Sequence, residues 1–287
     1  MADIYWGNSL IRRTAQGGSG EFVLRDGELF YKITNYHSMA PFLMTVVSGS
    51  DHWMYVSSTG GITCGRRSPG NALFPYYTDD KIHDASSTTG PQTIFLVRKS
   101  GRTCLWKPFG QGEEVYDVER NLYKNQSGNK LVFEEINHDL GLVFSYSWST
   151  SERFGFVKQS SFRNIGDEDL QIDVLDGLRN LLPYGVTRAL QAEMSTLVDA
   201  YKQAEVVPEM AVAVYTLSSI LTDRAEPNEA LKASVVWSTG LDDPQLLLSE
   251  DQVKTFCEGS RLLPENTMKG KRGAFFVRSN FVAAPNE

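Results

Sequence analysis

The sequence predicts a mainly β protein built from two antiparallel sheets laid face to face, with one or two helices. Three observations carry this reading. Short apolar alternations recur along the 287 residues, spaced by turn chemistry about every 8 to 12 positions. No stretch alternates strand with helix in the manner of a parallel α/β core. Aromatic residues make up 11% of the chain, enough to furnish broad sheet faces that pack on each other.

The first hairpin is written in Glu21-Phe22-Val23-Leu24 and Glu28-Leu29-Phe30-Tyr31-Lys32-Ile33, separated by Arg25-Asp26-Gly27. An Asp-Gly pair between apolar alternations is a strong hairpin signal, because Gly takes positive φ without steric cost. Thr93 to Arg98 and Thr103 to Trp106 flank a second turn at Lys99-Ser100-Gly101-Arg102. Lys130 to Phe133 and Leu142 to Trp148 bracket a third, near Asn137 to Gly141. Phe154 to Lys158 and Leu170 to Leu175 are joined across Asn164-Ile165-Gly166-Asp167.

One helix is expected over residues 187–206. Thr187 can cap it, and Leu190, Met194, Leu197 and Tyr201 recur at spacings of four, three and four. Pro208 would stop it. A second, shorter helix is expected over residues 249–258, capped by Ser249 and closed at Gly259. Strands resume from Met210 to Leu217, Leu231 to Trp237 and Gly273 to Phe281. The stretch from His83 to Pro91, rich in Ser, Thr and Gly, reads as a surface loop. With no internal repeat and no linker-like run, residues 1–287 form a single expected domain. A strand so close to Glu287 fits either a natural end or a chain cut before a following domain.

Composition narrows the function classes. The net charge is −7, and basic residues lie scattered among acids, so neither nucleic acid nor an anionic membrane is the expected partner. There is no uninterrupted apolar run of membrane-spanning length, and Met1 to Trp6 lacks the basic start of a signal peptide. Three separated cysteines, Cys64, Cys104 and Cys257, point to a reducing, cytoplasmic compartment. Without a CxxC pair or an HExxH spacing, no metal site and no cofactor are expected.

Two stretches carry candidate chemistry. The segment from Gly60 to Lys81 mixes Arg66, Arg67, Tyr76, Tyr77, Asp79 and Asp80. Aromatic faces beside Asp and Arg suit a saccharide, although a long crossover loop also needs such pins. The segment from Tyr146 to Val157 places Trp148, Glu152 and Arg153 around three hydroxyls. These could hydrogen-bond a polyol or satisfy a tight turn. Neither GxSxG nor a neighbouring histidine supports a nucleophile there. The adjacent acid pairs, Asp79-Asp80, Glu134-Glu135 and Asp242-Asp243, read as solvated charge, since strand neighbours point to opposite faces. His37, His52, His83 and His138 read as turn or surface residues.

Three segments together resemble the N-terminal region of cellobiose phosphorylase-like proteins: Gly60-Gly61-Ile62-Thr63 through Leu73 to Lys81, Tyr146 to Val157, and Leu175 to Val186. The run Leu175-Asp176-Gly177-Leu178-Arg179-Asn180-Leu181-Leu182-Pro183 is the most specific part. The resemblance implies a large β-supersandwich of the galactose-mutarotase-like type. In the family it is followed by an (α/α)6 barrel that holds the catalytic acid and most of the phosphate site. No family catalytic residue maps onto a position of this chain. The expectation is therefore a non-catalytic, carbohydrate-associated N-terminal module of a phosphorylase-like or hydrolase-like enzyme. Its implied partners are the barrel, a saccharide and a second copy in a homodimer. The Arg66 to Lys81 loop is the expected contact. The rivals are a free-standing aldose epimerase, which needs two histidines and a carboxylate on one concave face, and a pure oligomerisation domain.

Overall fold

The structure, a computed structural model, describes residues 4–10, 17–110, 115–207, 210–221 and 232–286. A ribbon of β1 (Tyr5–Trp6) and β2 (Ser9–Leu10) precedes the first hairpin. That hairpin, β3 (Ser19–Arg25) and β4 (Glu28–Thr34), closes with Arg25 opposite Glu28, and Asp26 and Gly27 take φ of 50° and 78°. Two positive-φ residues in a two-residue loop match the twist of the flanking strands.

The chain is mainly β and antiparallel throughout. A six-stranded sheet runs β13-β12-β11-β10-β4-β3, where β10 is Val118–Asn125, β11 Leu131–Asn137, β12 Leu142–Ser151 and β13 Gly155–Asn164. A five-stranded sheet runs β18-β20-β14-β8-β9, where β8 is Gly90–Lys99, β9 Arg102–Trp106, β14 Leu170–Leu181, β18 Gln245–Leu247 and β20 Gly273–Ala283. A four-stranded sheet comprises β17 (Ser234–Trp237), β16 (Val212–Leu217), β15 (Lys202–Val207) and β19 (Thr267–Lys269). A three-stranded sheet comprises β5 (Leu43–Thr45), β6 (His52–Ser57) and β7 (Ile62–Arg66).

The strands thus divide among more sheets than the two expected, and the four larger sheets form a propeller-like ring. Alternation fixes which face of a strand is buried, not which neighbour it pairs with. The link from β13 to β14 illustrates this, because it carries the chain from the six-stranded sheet to the five-stranded one. Buried Asn164 holds that crossing: its amide donates to the carbonyls of Glu168 (2.9 Å) and Ala283 (3.0 Å), and its Oδ1 accepts from Gly166 N.

The two largest sheets meet through aromatic side chains. Phe95 of β8 lies 5.2 Å from Phe144 and 5.0 Å from Phe162, and Phe162 lies 5.4 Å from Phe281 of β20. Met54, Ile62 and Cys64 of the three-stranded sheet join the same core, as do Ala204, Ala213 and Tyr215 of the four-stranded one.

The helices are shorter than expected. Thr187 does cap α2 (Arg188–Glu193), its hydroxyl accepting from Leu190 N. The chain breaks at Met194, resumes as α3 (Ser195–Tyr201) and becomes strand at Lys202. Met194 and Leu197, half of the expected apolar stripe, are exposed, and Val198 is the buried residue. Pairing of β15 with both β16 and β19 outweighs the helical period over residues 202–206. Pro208 and Leu231 lie outside the described residues. The second helix, α4 (Val253–Cys257), starts after Gln252 rather than at Ser249, whose hydroxyl donates to Glu265 instead. The segments read as irregular contain structure as well. Ile62 to Arg66 is β7, and α1 (Asp79–Asp84) and a 3₁₀ turn (Ala85–Ser87) occupy much of the loop expected to end at Pro91.

Leu175 to Leu181 of the Leu175 to Pro183 run lie on β14, hydrogen-bonded between β8 and β20. Gly177 faces Phe276, and a Cβ there would come within 2.2 Å of the Phe275 carbonyl and 2.8 Å of the Phe276 Cα. Backbone cannot yield as a flexible side chain would. Gly177→Ala is expected to destabilise the chain by about 1–3 kcal/mol, lowering the melting temperature by roughly 2–4 °C per kcal/mol. Calorimetry of the variant against the parent checks this, and an unchanged melting temperature refutes the close approach.

Candidate functional site

A cavity of about 540 Å³ lies where the β9–β10 connection meets the start of β8 and the end of β14. It is built around a buried carboxylate. On β11, Leu131, Phe133, Glu135 and Asn137 alternate onto one face, and all are buried. Glu135, only 1% exposed, is therefore committed to the interior by its register. Trp106 Nε1 donates to its Oε1 at 2.7 Å, while Phe109 N and Arg120 Nε each donate to Oε2 at 2.7 Å. Arg120 also donates to the Gly110 carbonyl at 2.9 Å. Phe109 reaches this position with a φ of 61°, a conformation costly for a bulky residue, and the charge-assisted bond to Glu135 offsets that strain.

Around this network stand groups whose polar atoms lack partners among the described residues. They are His37 Nδ1, Gln92 Oε1 and Arg179 Nε. Arg179 uses its two terminal nitrogens on the carbonyls of Ser87 and Ser86, both at 2.6 Å, leaving Nε over. Burial lowers the Arg179 guanidinium from its ordinary value, and the charge of Glu250 opposes the shift. Burial, and secondarily the charge of Arg120, push the imidazole of His37 down to about 4. It is neutral at physiological pH. Burial raises the phenols of Tyr36 and Tyr146. His138, Asp117 and Glu119 also line the cavity.

A second, partly buried network reaches the same cavity. Lys158 of β13 donates to both oxygens of Asp176 on β14, at 2.6 and 2.8 Å. Thr93, which lines the cavity, donates to Asp176 as well, and Ser160 donates at 3.0 Å.

None of the nine residues singled out from the sequence lines this cavity. Arg66 and Arg67 clasp Asp51 at 2.8 and 3.1 Å on the surface, and the Arg66 bond leads in holding the Asp51 carboxyl below its ordinary value. Tyr76 packs 5.9 Å from Trp53 and beneath Arg188, and Tyr77 is half-buried. Exposed Asp79 lies 3.7 Å from His83 Nε2, and Asp80 accepts from the Thr78 hydroxyl at 2.6 Å. Trp148 is core, edge-on to Phe74. Glu152 and Arg153 are exposed between β12 and β13, with Arg153 over the Phe154 ring. The structure does gather some of them, since the charge of Glu152 acts on His52, the neighbour of Asp51.

Two expectations need correction. Glu135 is no solvated charge, although Glu134 does point to the other face, where Tyr123 donates to it at 2.6 Å. His52 is buried, bonded through Nδ1 to Ser50. His83 Nδ1 meets Ser57 Oγ at 2.7 Å, which with Asp79 imitates a catalytic triad. Ser57 has no exposed surface and also accepts from Thr59 N, so the contact pins α1 to β6 rather than presenting a nucleophile.

Gly60, Tyr146 and Arg179 lie in segments that the sequence singles out, but the other lining residues are scattered along the chain and belong to no motif. The one available signal was the inward position of Glu135 in the β11 alternation. Among the described residues no helix is long and apolar enough to cross a membrane, and no group of three or more candidate metal ligands forms.

No family model and no curated protein matches the chain.

The lowered value of His37 gives a signed pH dependence. The unfolded imidazole takes up its proton near pH 6.5 and the folded one near 4, so stability is complete above the first value and declines as pH falls between them. A His37→Phe variant should lose less stability than the parent between about pH 7 and 4.5, as read from urea midpoints. Identical losses would show that His37 is not the group involved.

Proposed function

We propose that this chain is a non-catalytic, carbohydrate-associated module, and that the cavity beside Glu135 receives a saccharide. The observation that carries the reading is the set of unpartnered polar atoms around it: an acceptor on Gln92, a donor on Arg179 and an uncharged imidazole on His37. A hydroxyl both donates and accepts, so a neutral polyol satisfies such a mixed set. An anionic ligand fits less well. Arg120 is already neutralised by Glu135, and Asp117 and Glu119 add negative charge to the wall.

The resemblance of Leu175 to Pro183 and its companion segments to cellobiose phosphorylase-like proteins supports the same reading. Aromatic contacts between the two largest sheets, Phe95 with Phe144 and Phe162 with Phe281, are compatible with it. In this reading the parent is a phosphorylase-like or hydrolase-like enzyme, and the surface arginines and acids from Arg66 to Asp80 meet its helical barrel.

An epimerase reading has one observation in its favour, since His37 and His138 share the cavity with Glu135. The chemistry argues for binding instead. Glu135 is occupied by three donors, and an imidazole near 4 is a weak base at neutral pH.

Titration with glucose and cellobiose, followed by amide chemical shifts, tests the proposal. Shifts should cluster at Gln92, Trp106 and His37, and Gln92→Ala should weaken binding about tenfold, the size of one lost buried hydrogen bond. Arg66→Ala should bind as the parent does. Absence of any shift at about 50 mM sugar, well above a millimolar Kd, would sink the saccharide reading. Sugar mutarotation faster than in buffer would favour the epimerase.

A further inference from the structure

The outer strand of the six-stranded sheet presents an edge with its own complement. Among the described residues, nothing pairs with the far side of β3. Arg25 and Glu28 close a two-residue turn, so the backbones of Glu21, Val23 and Arg25 bond to β4. The backbone N–H and C=O groups of Gly20, Phe22 and Leu24 then face outward.

The side chains beside that edge are apolar and uncovered. Phe22 is 67% exposed, Leu24 76% and Tyr31 43%. Tyr31 lies edge-on to Phe22 at 5.1 Å and covers Gly20, where a Cβ would collide with its hydroxyl. The opposite edge of the same sheet is guarded differently. There β13 turns Lys158 inward onto Asp176, a device that blunts edge-to-edge pairing. On β3 the inward charge is Arg25, at the turn end of the strand and 3.5 Å from Glu134, so it leaves the edge from Gly20 to Leu24 unguarded.

Charge selects the occupant. An antiparallel copy can hydrogen-bond to this edge only if its outward-facing residues, Gly20, Phe22 and Leu24, meet their own counterparts. With the two-fold axis at Val23, Phe22 stands opposite Leu24 of the second copy and Glu21 opposite its Arg25. Shifting the axis to Phe22 or to Leu24 places Val23 opposite Glu21 or Arg25 and forfeits both ion pairs. Arg25 is held ready at this face by the Tyr123 ring (5.1 Å) and by Glu134 (3.5 Å).

We infer that β3 is the self-association edge of this protein, pairing antiparallel with β3 of a second copy about a two-fold axis at Val23. Such an interface is isologous: every contact occurs twice, and the joined sheet has twelve strands. Opposite charges across the pair stabilise it and like charges oppose it.

Sedimentation equilibrium of the full chain, with concentration varied around 100 μM, tests the inference. The parent should give twice the 32.1 kDa of one chain. Glu21→Arg alone sets Arg against Arg25 of the partner, and Arg25→Glu alone sets Glu against Glu21. Each should dimerise at least about tenfold more weakly than the parent, from two reversed pairs at up to about 1 kcal/mol each. An equimolar mixture of the two variants restores both opposite-charge pairs and should recover the dimer. Circular dichroism melts establish that each variant is folded, and Leu24→Lys, on an exposed site, provides a second disruption. A monomeric parent, undiminished dimers in both charge variants, or a mixture no tighter than its components would each overturn the inference.

Discussion

The two largest sheets are fastened by a charge pair set among apolar contacts: Lys158 from β13 and Asp176 from β14. Partly desolvating two such groups has a cost, which is recovered when their remaining hydrogen-bonding capacity is filled. Here Thr93 and Ser160 complete the shell of Asp176, and the Tyr146 ring lies 5.7 Å from the Lys158 ammonium. The pair fixes how β13 sits over β14. With that placement set, Phe95 can reach Phe144 and Phe162, and Phe162 can reach Phe281.

Strand β14 transmits the same constraint outward. Past Asp176 comes Gly177, which admits the β20 backbone, and then Arg179, which holds the 3₁₀ turn through two carbonyls. Asn180, at a φ of 56°, marks a shift in register against β20 and donates to Thr89. Leu181 and Leu182 follow into the core. The most distinctive run of the sequence is therefore the segment where the most separate parts of the chain converge. Its residue types answer to packing, although Arg179 also reaches the cavity.

That cavity follows from how polar groups were accommodated. Glu135 and Arg120 satisfy each other so fully that neither offers much to a ligand, while His37, Gln92 and Arg179 each retain a polar atom without a partner. Buried polar atoms without partners cost about 1–3 kcal/mol each, and three of them stand beside this one space.

Local patterns in the sequence determined the strands and hairpins. The Asp26-Gly27 turn, the β8–β9 and β11–β12 hairpins and the long strand near the C-terminus follow from alternation and turn chemistry acting between neighbours. So did the cap at Thr187, a matter of one hydroxyl and one backbone N–H. Tertiary structure decided the rest. It turned residues 202–206 from helix to strand because two partner strands were available, and it distributed the strands over four main sheets. It also left the nine candidate residues, Arg66, Arg67, Tyr76, Tyr77, Asp79, Asp80, Trp148, Glu152 and Arg153, outside the cavity, which joins instead His37, Gln92, Arg120, Glu135 and Arg179. Those five come from distant positions, and only the pairing of whole strands, a non-local outcome, brings their side chains to one place.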